Sequence, residues 1–327
     1  MKPKIPTYKE LQKSLTSYFG KRSVSAGHVK MVSSLFGIET IKSVINDVLN
    51  NPELLETIAN RSYTHALGFD KIVLMDLSKD VPKIKQKTQL RLHIWNPENT
   101  NALPIVEALH EHSFDFISTV LTGHLENQQF LLSPISKSEE KLLKKMKIIL
   151  AERPDEIAHF INEQMEILEA ARLVAVGSQQ YNKMKMWENI NYERVATITG
   201  FSREEMLDFC AIEGHYVSDR VSGERQSYKH VLKDYVSLSP FCAMDLPAGS
   251  TYFHPYQLPH RLYYDNKVLN STMLVTTPVP SNPEGGSLQR PTYVQNEEQN
   301  YNKIPLTSES LSKILKDYLN YLHNNHL

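Results

Sequence analysis

Two stretches of strand-like sequence stand on either side of a long helical one, and any fold of this chain must bring the two together. From Phe69 to about Ser133, the runs DKIVLMDL, QLRLHIW and FDFISTVLTG are rich in β-branched and aromatic residues and are separated by Pro, Asn and Gly clusters. That is the texture of consecutive strands. It returns in HVLKDYVSLS, PFCAMDLPAG, STYFHPY, HRLYYD and NSTMLVTTP. Between the two, KSEEKLLKKMKIIL and IAHFINEQMEILEAARLVA repeat apolar residues at helical spacing, and Ser202 with Glu205 forms a capping-box pattern before MLDFCAI. One β unit interrupted by helices is the economical reading, so the expected class is mainly β with α additions.

The remaining segments frame that unit. Thr7 and Glu10 make another capping-box pattern before YKELQKSL, and IETIKSVINDVL is helically spaced, so a helical N-terminal segment is expected over 1–66. The β halves are then expected over 67–135 and 228–280, with the helical insertion at 136–227. The last part, 281–327, starts with a Pro-, Gly-, Asn- and Gln-dense stretch that reads as an extended arm. It ends in a helix with Leu311, Ile314, Leu315, Tyr318, Leu319 and Leu322 on one face. This helix is expected to dock on the body or on a second copy of the chain in a homodimer.

Charge narrows the partners. With 36 Lys and Arg against 37 Asp and Glu in 327 residues, the formal charge is −1. No global field is available to gather nucleic acid or an anionic membrane. A small-molecule partner fits better. Cys210 and Cys242 are far apart and show no metal-like spacing, which suits a reducing compartment. The N-terminal text lacks an apolar signal-like core, and no run approaches the apolar length of a membrane span. The expectation is a cytoplasmic protein. No Walker loop, dinucleotide-binding glycine motif or nucleophile elbow occurs.

The histidines carry the chemistry. Residues two apart on a strand share a face, so His110 and His112 of ALHEHSFDF point the same way, and Phe114 and Phe116 continue that face. Two imidazoles at the mouth of an apolar interior need a third ligand from elsewhere to hold a transition metal. In LPAGSTYFHPYQLPHRLYYD, a Pro-x-Gly turn precedes a strand and His260 opens the next β run. His254 competes with His260, and the strand that begins at HRL favours His260.

These two segments together resemble the cupin superfamily. His110, His112 and Gly123 match its first motif, and Pro247, Gly249 and His260 match its second. The resemblance covers roughly residues 69–135 and 228–280, and it implies a double-stranded β-helix barrel. The helical lead-in, the insertion and the C-terminal tail lie outside it. It also implies a metal held by His110, His112 and His260. The family carboxylate would fall one or two residues after Asp115, and alternation turns Asp115 away unless the strand is bulged. Three histidines without a carboxylate resemble the iron site of the cysteine-dioxygenase branch. That likeness implies Fe(II), with zinc, nickel or manganese as other divalent candidates, and dioxygen plus a carboxylate- or thiol-bearing molecule as partners.

In that branch an upstream arginine holds the substrate carboxylate, and Arg91 takes the corresponding place in the order of elements. Alternation puts Arg91, His93 and Trp95 on one strand face and Leu90, Leu92 and Ile94 on the other. Only one of these faces can look into the barrel, and the sequence leaves open which. Tyr252 is the expected second catalytic candidate, from a group of tyrosines that includes Tyr256, Tyr263 and Tyr264. The implied activity is that of an oxygenase. A metal-dependent isomerase, lyase or hydrolase, or a non-catalytic binding module, would use the same scaffold.

Overall fold

The computed structural model describes residues 5–65, 68–97, 107–152, 154–220, 227–278, 286–289 and 298–325. Its first elements are helices α1 (Tyr8–Phe19), α2 (Val29–Leu35), α3 (Ile38–Leu49) and α4 (Pro52–Ala59). The capping box read at Thr7 and Glu10 is formed at the start of α1, and Asn51 caps α4 ahead of Pro52 at its first turn. Then come strands β1 (Tyr63–Thr64) and β2 (Asp70–Asp76), the short helix α5 (Leu77–Asp80), and strands β3 (Gln89–Trp95), β4 (His110–Glu111), β5 (Phe114–Thr122) and β6 (His124–Pro134).

Helices α6 (Lys137–Glu152), α7 (Pro154–Ala175), α8 (Gln179–Met184), α9 (Tyr192–Thr199) and α10 (Arg203–Phe209) follow. Their core contains Leu143, Met146, Ile161, Met165, Leu168, Phe201 and Phe209. Strands resume with β7 (Ile212–Arg220), β8 (Ser227–Pro247), β9 (Thr251–His254), β10 (His260–Tyr264), β11 (Asn270–Pro278), β12 (Gly286–Gln289), β13 (Glu298–Asn302) and β14 (Ile304–Pro305). Helix α11 (Ser308–Asn324) closes the described chain.

Three features differ from the sequence reading. Helices hold more residues than strands, so the β core carries a heavier helical share than "mainly β" implies. The interrupting helices end at Phe209, and β7 occupies part of the span read as helical insertion. The arm expected after residue 280 falls partly outside the described residues, and its described pieces at 286–289 and 298–302 are strands β12 and β13.

Two antiparallel sheets form the core. One has the order β14-β1-β2-β3-β11-β5-β9 and the other β13-β8-β6-β10-β4-β12-β7. The second sheet curls because Val236 and Ser237 of β8 pair β6 along one edge and β7 along the other. The path β8-β6-β10-β4-β12-β7 therefore returns to β8. Strand β8 runs 21 residues, and its register against β6 shifts where Cys242 and Pro240 pair but Phe241 is skipped. Proline lacks the N–H that a ladder needs, so a bulge there is the expected accommodation.

Both faces of the first sheet are covered. Leu90, Leu92 and Ile94 of β3, with Ile72, Leu74, Ile117, Met273 and Val275, pack against α1, α3, α4 and α11. Trp95, Phe116, Val120 and Leu274 face the other way and meet Leu125, Leu246, Leu262 and Tyr264 of the second sheet. The polar face of β3, with Arg91 and His93, therefore looks into the space between the sheets. The two tight turns that carry the motif glycines sit at the ends of this sandwich, with Gly123 at φ +76 between β5 and β6 and Gly249 at φ +91 between β8 and β9. A β-carbon at Gly123 would overlap the Asn270 side chain, whose Oδ1 accepts from the His124 backbone N–H at 3.0 Å. No helix among the described residues is long and apolar enough to cross a membrane.

Candidate metal centre

The chain passes from the second sheet to the first within five residues. His110 lies on β4, His112 in the bend after it, and Phe114 starts β5. The pair thus straddles a sheet crossing rather than sharing one strand, yet both rings still face inward with centroids 4.8 Å apart. His260 opens β10 and stands in register with His110 on one side and with Gln129 of β6 on the other. Its ring lies 4.7 Å from that of His110 and 5.1 Å from that of His112. The three histidines form a group whose ligand atoms lie within 4.8 Å of one another. That is close to the span across one ion with bonds of about 2.1 Å.

Hydrogen bonds fix the rings. The Nδ1 of His110 lies 2.8 Å from the Ala108 carbonyl. A carbonyl can only accept, so this nitrogen carries the proton and Nε2 is left as a lone pair. His260 Nδ1 lies 3.0 Å from Asn127 Oδ1, which directs its Nε2 inward in the same way. His260 Nε2 and His112 Nε2 are 3.0 Å apart. Two such nitrogens approach this closely only with a proton or a cation between them. Burial holds all three histidines below the ordinary imidazole pKa, and their mutual repulsion pushes His112 and His260 the same way. Neutral imidazole is the form that binds metal, so this donor set fits a divalent transition metal ion.

Aromatic rings shield the cluster. Phe114 stacks on His112 at 4.7 Å and 26°, and Phe116 meets His112 edge-on at 5.3 Å. His254 is buried beside His260 at 4.1 Å between centroids, but both its nitrogens are engaged, Nε2 with the Leu258 carbonyl at 2.9 Å and Nδ1 with Gln129 Nε2 at 3.2 Å. It stacks on Phe116 and braces the cluster from behind. Asp115 accepts from the Tyr256 backbone N–H at 2.9 Å, tying β5 to the turn before β10. Glu111 accepts from His215 Nε2 at 3.0 Å on the opposite face of β4.

Arg91 and Tyr252 both project inward, on a cross-strand row that runs Arg91, Leu274, Ser118, Tyr252. The Arg91 guanidinium lies over the Phe114 ring at 4.5 Å, one ring away from His112. Its Nε and Nη2 donate to Gln89 Oε1 at 2.9 and 2.8 Å, and Gln89 Nε2 donates onward to Asp76 at 2.9 Å. Tyr252 sits deeper, edge-on to Phe116 at 6.1 Å, and burial keeps its phenol protonated.

Several residues at this site were not read from the sequence. Asn127 and Gln129 alternate inward with Leu125 on β6, which is the signal that could have found them. Glu107 is buried against Trp95 Nε1 at 3.2 Å, and burial raises its pKa to about 8. Lys71 of β2 faces inward beside His93. Compared with protein-family models and with curated proteins, the chain matches none.

Proposed function

We propose that this chain is a cupin-type metalloenzyme, a non-haem Fe(II)-dependent oxygenase acting on a small carboxylate- or thiol-bearing molecule. The observation that carries this reading is the group of three neutral imidazoles, His110, His112 and His260, with no carboxylate among its members. Such a set leaves the metal its full positive charge, which favours an anionic substrate. When bound there, Fe(II) supplies the means of bringing dioxygen and substrate into reaction.

The chain's own residues do the rest. Ala108 and Asn127 hold the His110 and His260 imidazoles in the ligating tautomer. Phe114 and Phe116 cover the His112 side of the cluster. Arg91, oriented by Gln89, presents its remaining donors to a substrate carboxylate, for which its planar fork is suited. Tyr252, held neutral, is a donor deeper in the same space. Imidazole also suits zinc and nickel, so a metal-dependent isomerase, lyase or hydrolase is the second reading.

Metal analysis after anaerobic purification, followed by oxygen uptake with small amino, keto and thiol acids, separates the two. The expected result is one equivalent of iron and oxygen consumption with one of these classes. Bound zinc or nickel with no oxygen consumption would overturn the oxygenase reading. His110→Ala, His112→Ala and His260→Ala are each expected to abolish metal binding, and His254→Ala to retain it. Asn127→Ala is expected to weaken metal binding by about 10–100-fold, the usual effect of removing a ligand's hydrogen-bond partner.

A further inference from the structure

We infer that Lys71, together with Arg91, forms an anion-binding site beside the three histidines, suited to the compact dianionic end of a small substrate such as a phosphate ester or a dicarboxylate. The inference rests on the metal-site reading only for the other end of that substrate, and its test is arranged so that the two can fail separately.

The strand pattern puts Lys71 in place. Ile72 and Leu74 of β2 face the helices, so Lys71 and Val73 face inward, in register with His93 and Arg91 of β3 respectively. On its other side Lys71 pairs with Tyr63 of β1, and its Nζ lies 5.2 Å from that ring. Among the described residues no carboxylate lies within ion-pair distance of Lys71 or Arg91. The nearby acids are otherwise engaged, Asp70 with Thr64 Oγ1 at 2.7 Å and Asp76 with Gln89 and Ser78. His93, the cross-strand neighbour of Lys71, has a buried Nε2 with no hydrogen-bond partner.

A lysine and an arginine with no ion-pair partner among the described residues, beside an imidazole nitrogen with no hydrogen-bond partner, are costly to a fold that needs only stability. Desolvation, followed by repulsion from Arg91 and Lys303, pushes the Lys71 pKa well below the lysine range. Lys71, Arg91 and His93 are nevertheless each only partly buried. An arriving dianion would supply the missing charge. The Phe114 ring contacts both the Arg91 guanidinium at 4.5 Å and the His112 ring at 4.7 Å, which puts the other end of such a ligand beside the metal-binding cluster.

The test is calorimetric titration of the metal-free protein with inorganic phosphate and, separately, with malonate, which distinguishes the phosphoryl from the dicarboxylate source. The wild type is expected to bind at least one of them in preference to acetate. Lys71→Met is expected to weaken that binding tenfold or more while raising the thermal midpoint of the ligand-free protein. A structural lysine would give a lowered midpoint instead. Lys71→Arg is expected to restore most of the affinity. His260→Ala should lose metal, read by Co(II) titration, and keep the anion. Failure of the wild type to bind either anion, or equal binding by Lys71→Met, would overturn the inference. Anion binding with no metal affinity in the wild type would overturn the metal reading alone.

Discussion

Burial acts on individual residues here in opposite senses, and each sense is chemically useful. It keeps His110, His112 and His260 neutral and able to ligate, and it keeps the Glu107 carboxyl protonated to about pH 8. The Glu107 shift has a sign that can be worked out. Between pH 4.5 and about 8 the folded chain binds a proton that the unfolded chain has lost, so stability falls as pH rises through that window. Glu107→Gln keeps an acceptor for Trp95 and removes the titration. Urea unfolding is expected to show equal stability for variant and wild type near pH 4, and an advantage of about 2 kcal/mol or more for the variant at pH 9. His110 and His112 were legible from alternation and motif together, although the alternation assumed one strand where the chain crosses between sheets. The choice of His260 over His254 was favoured but not fixed by the sequence, because it depends on which imidazole has its nitrogens already taken. Leu258 and Gln129 occupy those of His254, and neither partner is marked by a motif.

At the scale of elements, the closing of the second sheet depends on β7, which the sequence hid inside a helical span. Its text, IEGHYVSDR, mixes polar and apolar residues too evenly for alternation to speak clearly, and it becomes a strand because β8 and β12 pair with it. His215 fastens this strand to its neighbours. Its Nε2 bonds Glu111 of β4 at 3.0 Å and its Nδ1 bonds Asp234 of β8 at 3.1 Å. The hydrogen bond to Glu111 is the main cause of its raised pKa, opposed by burial. A folded pKa above the unfolded one gives stability that is complete below about pH 6.5 and is lost as pH rises through the folded value. His215→Gln is therefore expected to cost about 1–3 kcal/mol at pH 5.5 and much less at pH 9, as read by denaturant unfolding at the two pH values. A cost that is independent of pH would show that the ring serves packing alone.

Across the whole molecule, the N-terminal helices and α11 form one layer over the outer face of the first sheet. Leu311, Leu315, Tyr318, Leu319 and Leu322 are buried there, and Tyr318 Oη bonds Ser271 Oγ of β11 at 2.7 Å. The last helix thus seals the sheet whose inner face carries Arg91. Leu315→Ala is expected to destabilise the chain by about 2–5 kcal/mol, measured as a lower denaturation midpoint. The sequence by itself determined the capped helices, the strand runs and the glycine turns, since each follows from the conformational preferences of a few neighbouring residues. Tertiary structure alone decided two things. It brought His260 against His112 across 148 residues of chain, and it turned Arg91 and Lys71 inward by placing a helical layer over the leucine face of β3. Alternation tells which residues share a face. What packs on either side settles which face is the interior.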